Sequence, residues 1–229
     1  MKRSFLTGTL TVSAIATAAV ISAQPAQALQ IVTYNFFGSN QHSSQLNFSP
    51  VGFPSAFSVT ATASRLNLQT NVSSDVNVAI RPQGIGVQGG PSGPEISKGI
   101  VGGHTLIETL RLNFNGQVVR LISATFGDGQ NNDDFRLLKG DGTLIVEAKT
   151  KAQQNSATPT FNFAQANVNE SARTGTIFDF TVPALGTDDD YFLRSLTVEV
   201  IPTPAAVLPG LVGMGAAAFR KKQQQNAEA

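Results

Sequence analysis

The chain has 229 residues, 41% hydrophobic and 14% charged, with no cysteine and no tryptophan. That is apolar material for the core of one domain, and the lack of cysteine excludes disulfides, thiolate metal sites and cysteine nucleophiles. Setting aside Lys2 and Arg3, then Arg220, Lys221, Lys222 and Glu228, leaves 11 basic against 14 acidic residues, a net of −3 that argues against a nucleic-acid partner.

Residues 1–28 read as a secretory signal peptide. Lys2 and Arg3 open it, Phe5 to Ile21 is apolar, and Ala26-Gln27-Ala28 is an A-x-A cleavage site. An N-terminal anchor helix fits less well, because Thr and Ser dilute the run. Signal peptidase is therefore an expected partner, with cleavage after Ala28 and a mature chain that begins at Leu29.

Residues 29–200 alternate apolar and polar positions between Gly, Asn, Asp and Pro. Strands are predicted over Ile31–Phe37, Phe57–Ser64, Asp75–Ile80, Glu108–Phe114, Val118–Phe126, Asp134–Leu138, Thr143–Glu147, Thr176–Val182 and Phe192–Val200. In Glu108-Thr-Leu-Arg-Leu-Asn-Phe114, the period of two sends Leu110, Leu112 and Phe114 to the core. Asn115-Gly116 and Gly140-Asp141-Gly142 predict hairpins. Pro91–Gly103 and Lys149–Pro159 predict loops. No window sustains a period of 3.6. Roughly ten short strands with turns between them predict an all-β antiparallel sandwich or barrel.

Several motifs suggest chemistry. Gly84-Ile-Gly-Val-Gln-Gly89 satisfies G-x-G-x-x-G, but Gly90-Pro91-Ser92-Gly93-Pro94 follows and cannot open the helix that would face a pyrophosphate. These glycines instead suit a tight strand and turn. Gly127-Asp-Gly-Gln-Asn-Asn-Asp-Asp134 is the most site-like stretch. Calcium takes six to eight oxygens from a flexible loop, and Asp128, Asn131, Asp133 and Asp134 could supply them. It is not an EF-hand, and an ordinary Asp/Asn-rich hairpin turn competes with this reading. Asp188-Asp189-Asp190 is a second acidic loop. His104 and Glu108 lie about 13 Å apart if they share a strand, so they read as a surface histidine and a strand-edge glutamate. Glu95, Glu108, Glu147 and Glu199 could include a glycosidase pair, but the sequence sets no separation between them. No nucleophile-elbow motif is present.

The end of the chain, residues 201–229, has three parts. Pro202-Thr203-Pro204-Ala205 breaks the preceding strand, an uncharged run continues to Phe219, and Arg220, Lys221 and Lys222 form a basic stop. A spanning helix wants about 20 apolar residues. This run is shorter and holds Pro209, Gly210, Gly213 and Gly215, which suits transient holding and cleavage. The basic residues would retain the tail on the cytoplasmic side. A disordered Ala/Gly-rich tail is the competing reading.

These residues resemble the PEP-CTERM class of bacterial C-terminal sorting signals, in the PTPA variant of cyanobacterial exported proteins. Pro202, Thr203, Pro204 and Ala205 match its signature, Ala206 to Phe219 its helix, and Arg220, Lys221 and Lys222 its basic cluster. The polar tail Gln223 to Ala229 departs from it. The resemblance implies an exosortase-type membrane enzyme that cuts near the signature. The middle of the chain is also similar to the sandwich domain of many such exported proteins. The likeness rests on Gly84–Gly90, Glu95-Ile96, Glu108–Phe114, Thr125–Asp128 and Asp133-Asp134-Phe135. It implies a jelly-roll-like antiparallel β-sandwich, flanked by the signal peptide and a short C-terminal transmembrane sorting helix. The expectation is a non-enzymatic exported protein of the cell envelope, cell surface or extracellular polysaccharide matrix. A calcium-dependent glycan-binding module, with calcium as the candidate cofactor, and an envelope hydrolase are the readings from other classes. The absence of Trp, the commonest sugar-stacking residue, counts against the glycan binder.

Overall fold

The computed structural model of the chain describes residues 29–50, 52–53, 57–90, 93–128, 133–151, 156, 158–184 and 189–202. The expected signal peptide, Asn131, Asp188, Thr203, Pro204, Ala205 and the cluster Arg220, Lys221 and Lys222 lie outside these residues. Among the described residues there is no α-helix, and no helix is long and apolar enough to cross a membrane.

The strands, in chain order, are β1 (Gln30–Asn35), β2 (Gln41–Ser43), β3 (Gln45–Phe48), β4 (Val59–Asn67), β5 (Val72–Val76), β6 (Val78–Arg81), β7 (Gly84–Val87) and β8 (Ile96–Val101). They continue as β9 (His104–Asn113), β10 (Val119–Gly127), β11 (Asp134–Lys139), β12 (Leu144–Lys149), β13 (Thr160–Asn162), β14 (Thr174–Gly175), β15 (Ile177–Thr181) and β16 (Asp190–Val200). Every pairing is antiparallel. One ladder centres on β16, with β1 and then β7–β6–β2 on one side and β10 with β13 and β14 on the other. The second ladder runs β12-β11-β15-β9-β4, with β3 and β5 beyond β4. β8 joins the two: its start pairs with β16 and its remainder with β9.

The inward faces of the two ladders share one core, in a β-sandwich-like all-β fold. Leu110, Leu112 and Phe114 are fully or almost fully buried, while Arg111 between them faces out and meets Asp179 of β15. Aromatic rings close the gap between ladders. Tyr34 of β1 packs edge-on against Phe114 at 5.6 Å, and Phe126 of β10 lies 4.8 Å from Phe135 of β11. Such pairs add about 0.5–1.5 kcal/mol beyond the area they bury. Along β10 the buried positions change parity, from Val119 and Leu121 to Ala124 and Phe126. The register against β16 shifts between Leu121 and Ser123, and this irregularity keeps both halves of the strand facing the core.

Three expectations require correction. Asn115-Gly116 does form a tight turn, with φ of 54° and 83° and Gln117 N–H donating to the Phe114 carbonyl at 2.9 Å. It does not make a hairpin, because β4 and β15 already occupy both sides of Asn113. The chain therefore crosses to the other ladder. Asp75–Ile80 is two strands, β5 and β6, which break at Asn77 and serve different ladders. The predicted loop 91–103 contains β8. The Gly140-Asp141-Gly142 turn does join a hairpin, β11 to β12. The glycines at 84–87 form strand β7 rather than a phosphate loop. At Gly86 a Cβ would fall 2.2 Å from the Pro94 carbonyl oxygen, so only glycine admits this close crossing.

Gln30 pairs with Val200, so both chain ends leave the domain at one place. The acidic start of β16 lies at the other end of an 11-residue strand, about 35 Å away at about 3.3 Å per residue. Leu112→Ala is expected to cost about 2–5 kcal/mol, as large-to-small changes in a packed core do. Urea unfolding measures this, and a loss near zero would contradict the burial of that side chain.

Candidate functional site

Part of the acidic set singled out in the sequence, including Glu95, Glu108 and Asp190, lies where β8 passes between the ladders. Glu108 stands on β9 with the same parity as Leu110 and Leu112, and it is fully buried. Its Oε1 accepts Arg65 Nη2 at 2.7 Å and Nε at 3.2 Å. Its Oε2 accepts the Ser97 hydroxyl at 2.8 Å and the Ser97 backbone N–H at 3.2 Å. Arg65 is the cross-strand partner of Glu108 on β4, and it also donates to the Gln88 carbonyl. Gly90 closes the remaining side, since a Cβ there would sit 2.4 Å from Glu108 Oε2. Burial pushes the Glu108 carboxyl up, and the hydrogen bonds from Arg65 and Ser97 act against that push. The expected strand-edge glutamate is thus a buried ion pair, while His104 is exposed at the tip of the same strand.

Glu95 lies two residues before Ser97. Burial first, and then the charges of Asp190, Asp128, Asp133 and Glu108, push its carboxyl from 4.5 to about 7. The pairing explains this company. Ser97 faces Asp190 across β8 and β16, and Gly127, just before Asp128, faces Phe192. Asp128 has a left-handed backbone, with φ of 55°, a conformation that Asp and Asn tolerate. Asp133 is fully buried, and its carbonyl accepts Thr150 N–H at 2.8 Å. Asp134 opens β11, and its N–H donates to Asp189 Oδ1 at 3.0 Å. Asp189 is only 3% exposed, and its Oδ2 has no hydrogen-bond partner among the described residues. Burial raises the Asp189 carboxyl most, with Asp134 adding to it and the Asp134 N–H, Lys98 and Lys149 opposing.

Of the expected calcium ligands, Asp128 and Asp133 both bear on Glu95, whereas the Asp134 backbone holds Asp189. Among the described residues, no group of three His, Asp or Glu side chains could hold a metal ion. Of the four isolated glutamates, Glu95 and Glu108 share this corner. Glu147 lies near Arg136 at 3.5 Å on the β11–β12 hairpin, and Glu199 pairs with Arg120 at the other end of β16. An open depression elsewhere is lined by Lys139, Asp141, Thr174 and Ile177, at the far end of β11.

No family model matches the chain, and no curated protein and no solved structure is significantly similar to it.

The Glu108–Arg65 pair yields a test. Removing one partner of a buried pair strands the other charge, so Arg65→Leu is expected to destabilise the domain by about 3–5 kcal/mol. Adding Glu108→Leu should restore most of that loss, because two apolar groups can replace such a pair at little cost. Denaturant unfolding of both variants decides it. Equal stability of the single variant and the wild type would remove the pair from the account.

Proposed function

We propose that this is a non-catalytic, exported β-sandwich protein, jelly-roll-like in topology. Residues 29–200 would be delivered to the cell envelope, cell surface or extracellular polysaccharide by a PEP-CTERM-like tail over residues 201–229. The observation that carries the reading is the tail itself. The Pro-Thr-Pro-Ala signature, the uncharged run and the basic stop follow one another directly after the last strand. Their placement is consistent with a sorting role. β16 ends at Val200, Ile201 N–H is taken by the Val118 carbonyl, and Pro202 has no N–H with which to continue the ladder. A protease that cuts near the signature would then cut next to the folded domain without disturbing it.

Gln30 and Val200 are cross-strand partners, so the first and last strands of the domain meet at one edge position. The hydrolase reading gains one observation, the raised Glu95 carboxyl. It loses the glutamate partner in this corner, because Glu108 is committed to Arg65 and Ser97. Calcium-sensitive binding to a glycan array would move the assignment to the binding-module class.

Two measurements test the proposal. N-terminal sequencing of the exported protein should read Leu29-Gln30-Ile31, and an intact Met1 on that form would refute signal-peptide cleavage. Replacing Arg220, Lys221 and Lys222 with Gln should let uncut precursor escape the membrane, because those charges resist entry into hydrocarbon. Replacing Pro202, Thr203 and Pro204 should instead trap uncut precursor in the membrane. Cell fractionation with C-terminal mass determination separates the two outcomes. Unchanged localisation in both variants, with Ala229 retained in the wild type, would leave a plain tail.

A further inference from the structure

β1 is an edge strand. It pairs only with β16, in one unbroken antiparallel register from Gln30–Val200 to Asn35–Ser195, and among the described residues no strand takes its other side. Phe36 N–H donates to the Arg194 carbonyl at 2.9 Å in the same register, so Gln30, Val32 and Tyr34 turn their N–H and C=O groups toward β16. Across β16, Ile201 N–H donates to the Val118 carbonyl, as this alternation requires. Ile31, Thr33 and Asn35 are left with outward amides and carbonyls, and among the described residues no backbone hydrogen bond takes them. Their side chains are exposed as well, with the Thr33 hydroxyl 3.0 Å from that of Thr197.

Exposed edges invite pairing with another chain, and proteins blunt them with short strands, charges or proline. The other edges among the described residues are blunted in this way. β2, β3, β13 and β14 have four residues or fewer. β5 carries Asp75, β8 carries Lys98, and β12 carries Glu147 and Lys149. β1 has six residues, with no charge, no proline and no bulge. We propose that β1 is the pairing edge of a homodimer, in which two copies join antiparallel about a two-fold axis at Thr33 and one ladder runs through both. The pattern is self-complementary. With Thr33 opposite Thr33, Ile31 falls opposite Asn35, and every outward N–H on both strands meets a carbonyl. The same register sets Leu29 of one copy opposite Phe37 of the other at each end. Leu29, Ile31 and Phe37 are 61%, 64% and 46% exposed, so the pairing brings together the apolar side chains along this edge. No charge opposes self-association, since Glu199, the partner of Ile31 on β16, is bonded to Arg120. A partner recognised by charge would find none along β1. The dimer does not depend on export or sorting.

Sedimentation velocity on the full chain tests this. A pairing of six residues a side is small, so the mass should rise reversibly with concentration, from 24.0 kDa towards twice that. Thr33→Pro removes an outward N–H and no bond to β16, at the kind of position where edge strands accept proline. It should leave the monomer folded and weaken association at least about tenfold. Should Thr33→Pro not fold, Thr33→Lys serves, because it sets two like charges opposite each other on the axis. The chain has no cysteine, so a single introduced one reports only its own contact. Under oxidation Thr33→Cys should cross-link, because Cα atoms of a hydrogen-bonded pair stand about 5.5 Å apart. Asn35→Cys should not, since its two copies would lie four residues apart along the pairing, about 13 Å. A wild type that stays monomeric up to about 1 mM would overturn the proposal, whether the edge stays bare or another segment of the chain covers it. A dimer that Thr33→Lys leaves intact would also overturn it, as would cross-linking through Asn35→Cys in preference to Thr33→Cys.

Discussion

The neighbours of β9 are fitted around one ionised carboxylate placed in a core. Glu108 occupies an inward position where leucines flank it in register, and no water can reach it. A lone charge there would be untenable, so the surroundings supply four hydrogen bonds from two residues, Arg65 and Ser97. The consequences spread outward. Arg65 must sit opposite on β4, Ser97 must bring β8 alongside β9, and Gly90 must carry no side chain. A buried pair of this kind contributes little net stability compared with apolar side chains of the same volume. Its effect is positional. A one-residue slip of β8 would remove both Ser97 bonds and leave Oε2 unpaired, so the pair sets the register at which the two ladders join.

The other organising strand is β16. It is flanked by β1 and β10, touches β7 and β8, and carries buried residues over most of its length. Its inward positions include Tyr191 and Leu193 and then Leu196, Val198 and Val200, with the parity change at a register irregularity against β10. Irregularities of this kind increase local twist and let one strand serve different neighbours along its length. At its start β16 contributes Asp190 to the acidic corner, with Asp189 just before it, and its second half pairs with the first strand of the domain.

The strands with clean alternation were legible in the sequence. Leu110, Leu112 and Phe114 face inward as the period of two requires, and the glycine-flanked Asp141 turn joins the hairpin it suggests. The failures have physical causes. β8 hides in a glycine- and proline-rich stretch because close crossing against β7, rather than strand propensity, decides its path. Asn115-Gly116 specifies the turn but not what the next strand pairs with, which depends on whether an edge is free. Most of the candidate site was hidden for a related reason. Asp128 and Asp133 stood out as a local acidic run, but Glu95 and Asp190 join them only through long-range pairing. Glu108 carried a readable signal, since its parity with Leu110 placed it on the core face. A glutamate in that register announces a buried partner, though not that the partner is Arg65.

The topology also constrains when the domain can form. β1 begins at Gln30 and its partner β16 ends at Val200, so the first strand cannot be satisfied until the last has arrived. The same strand separates β1 from β10, so one ladder lacks its centre until nearly the whole domain is present. Such long-range pairing is slow, because loop-closure entropy is lost before contacts reward it. No disulfide can hold a partial structure meanwhile, since the chain has no cysteine. For a cytoplasmic protein this order would prolong the exposure of unpaired strand edges. A chain that had to cross a membrane unfolded would gain from the same order, because the ladder around β16 cannot close before that strand is present.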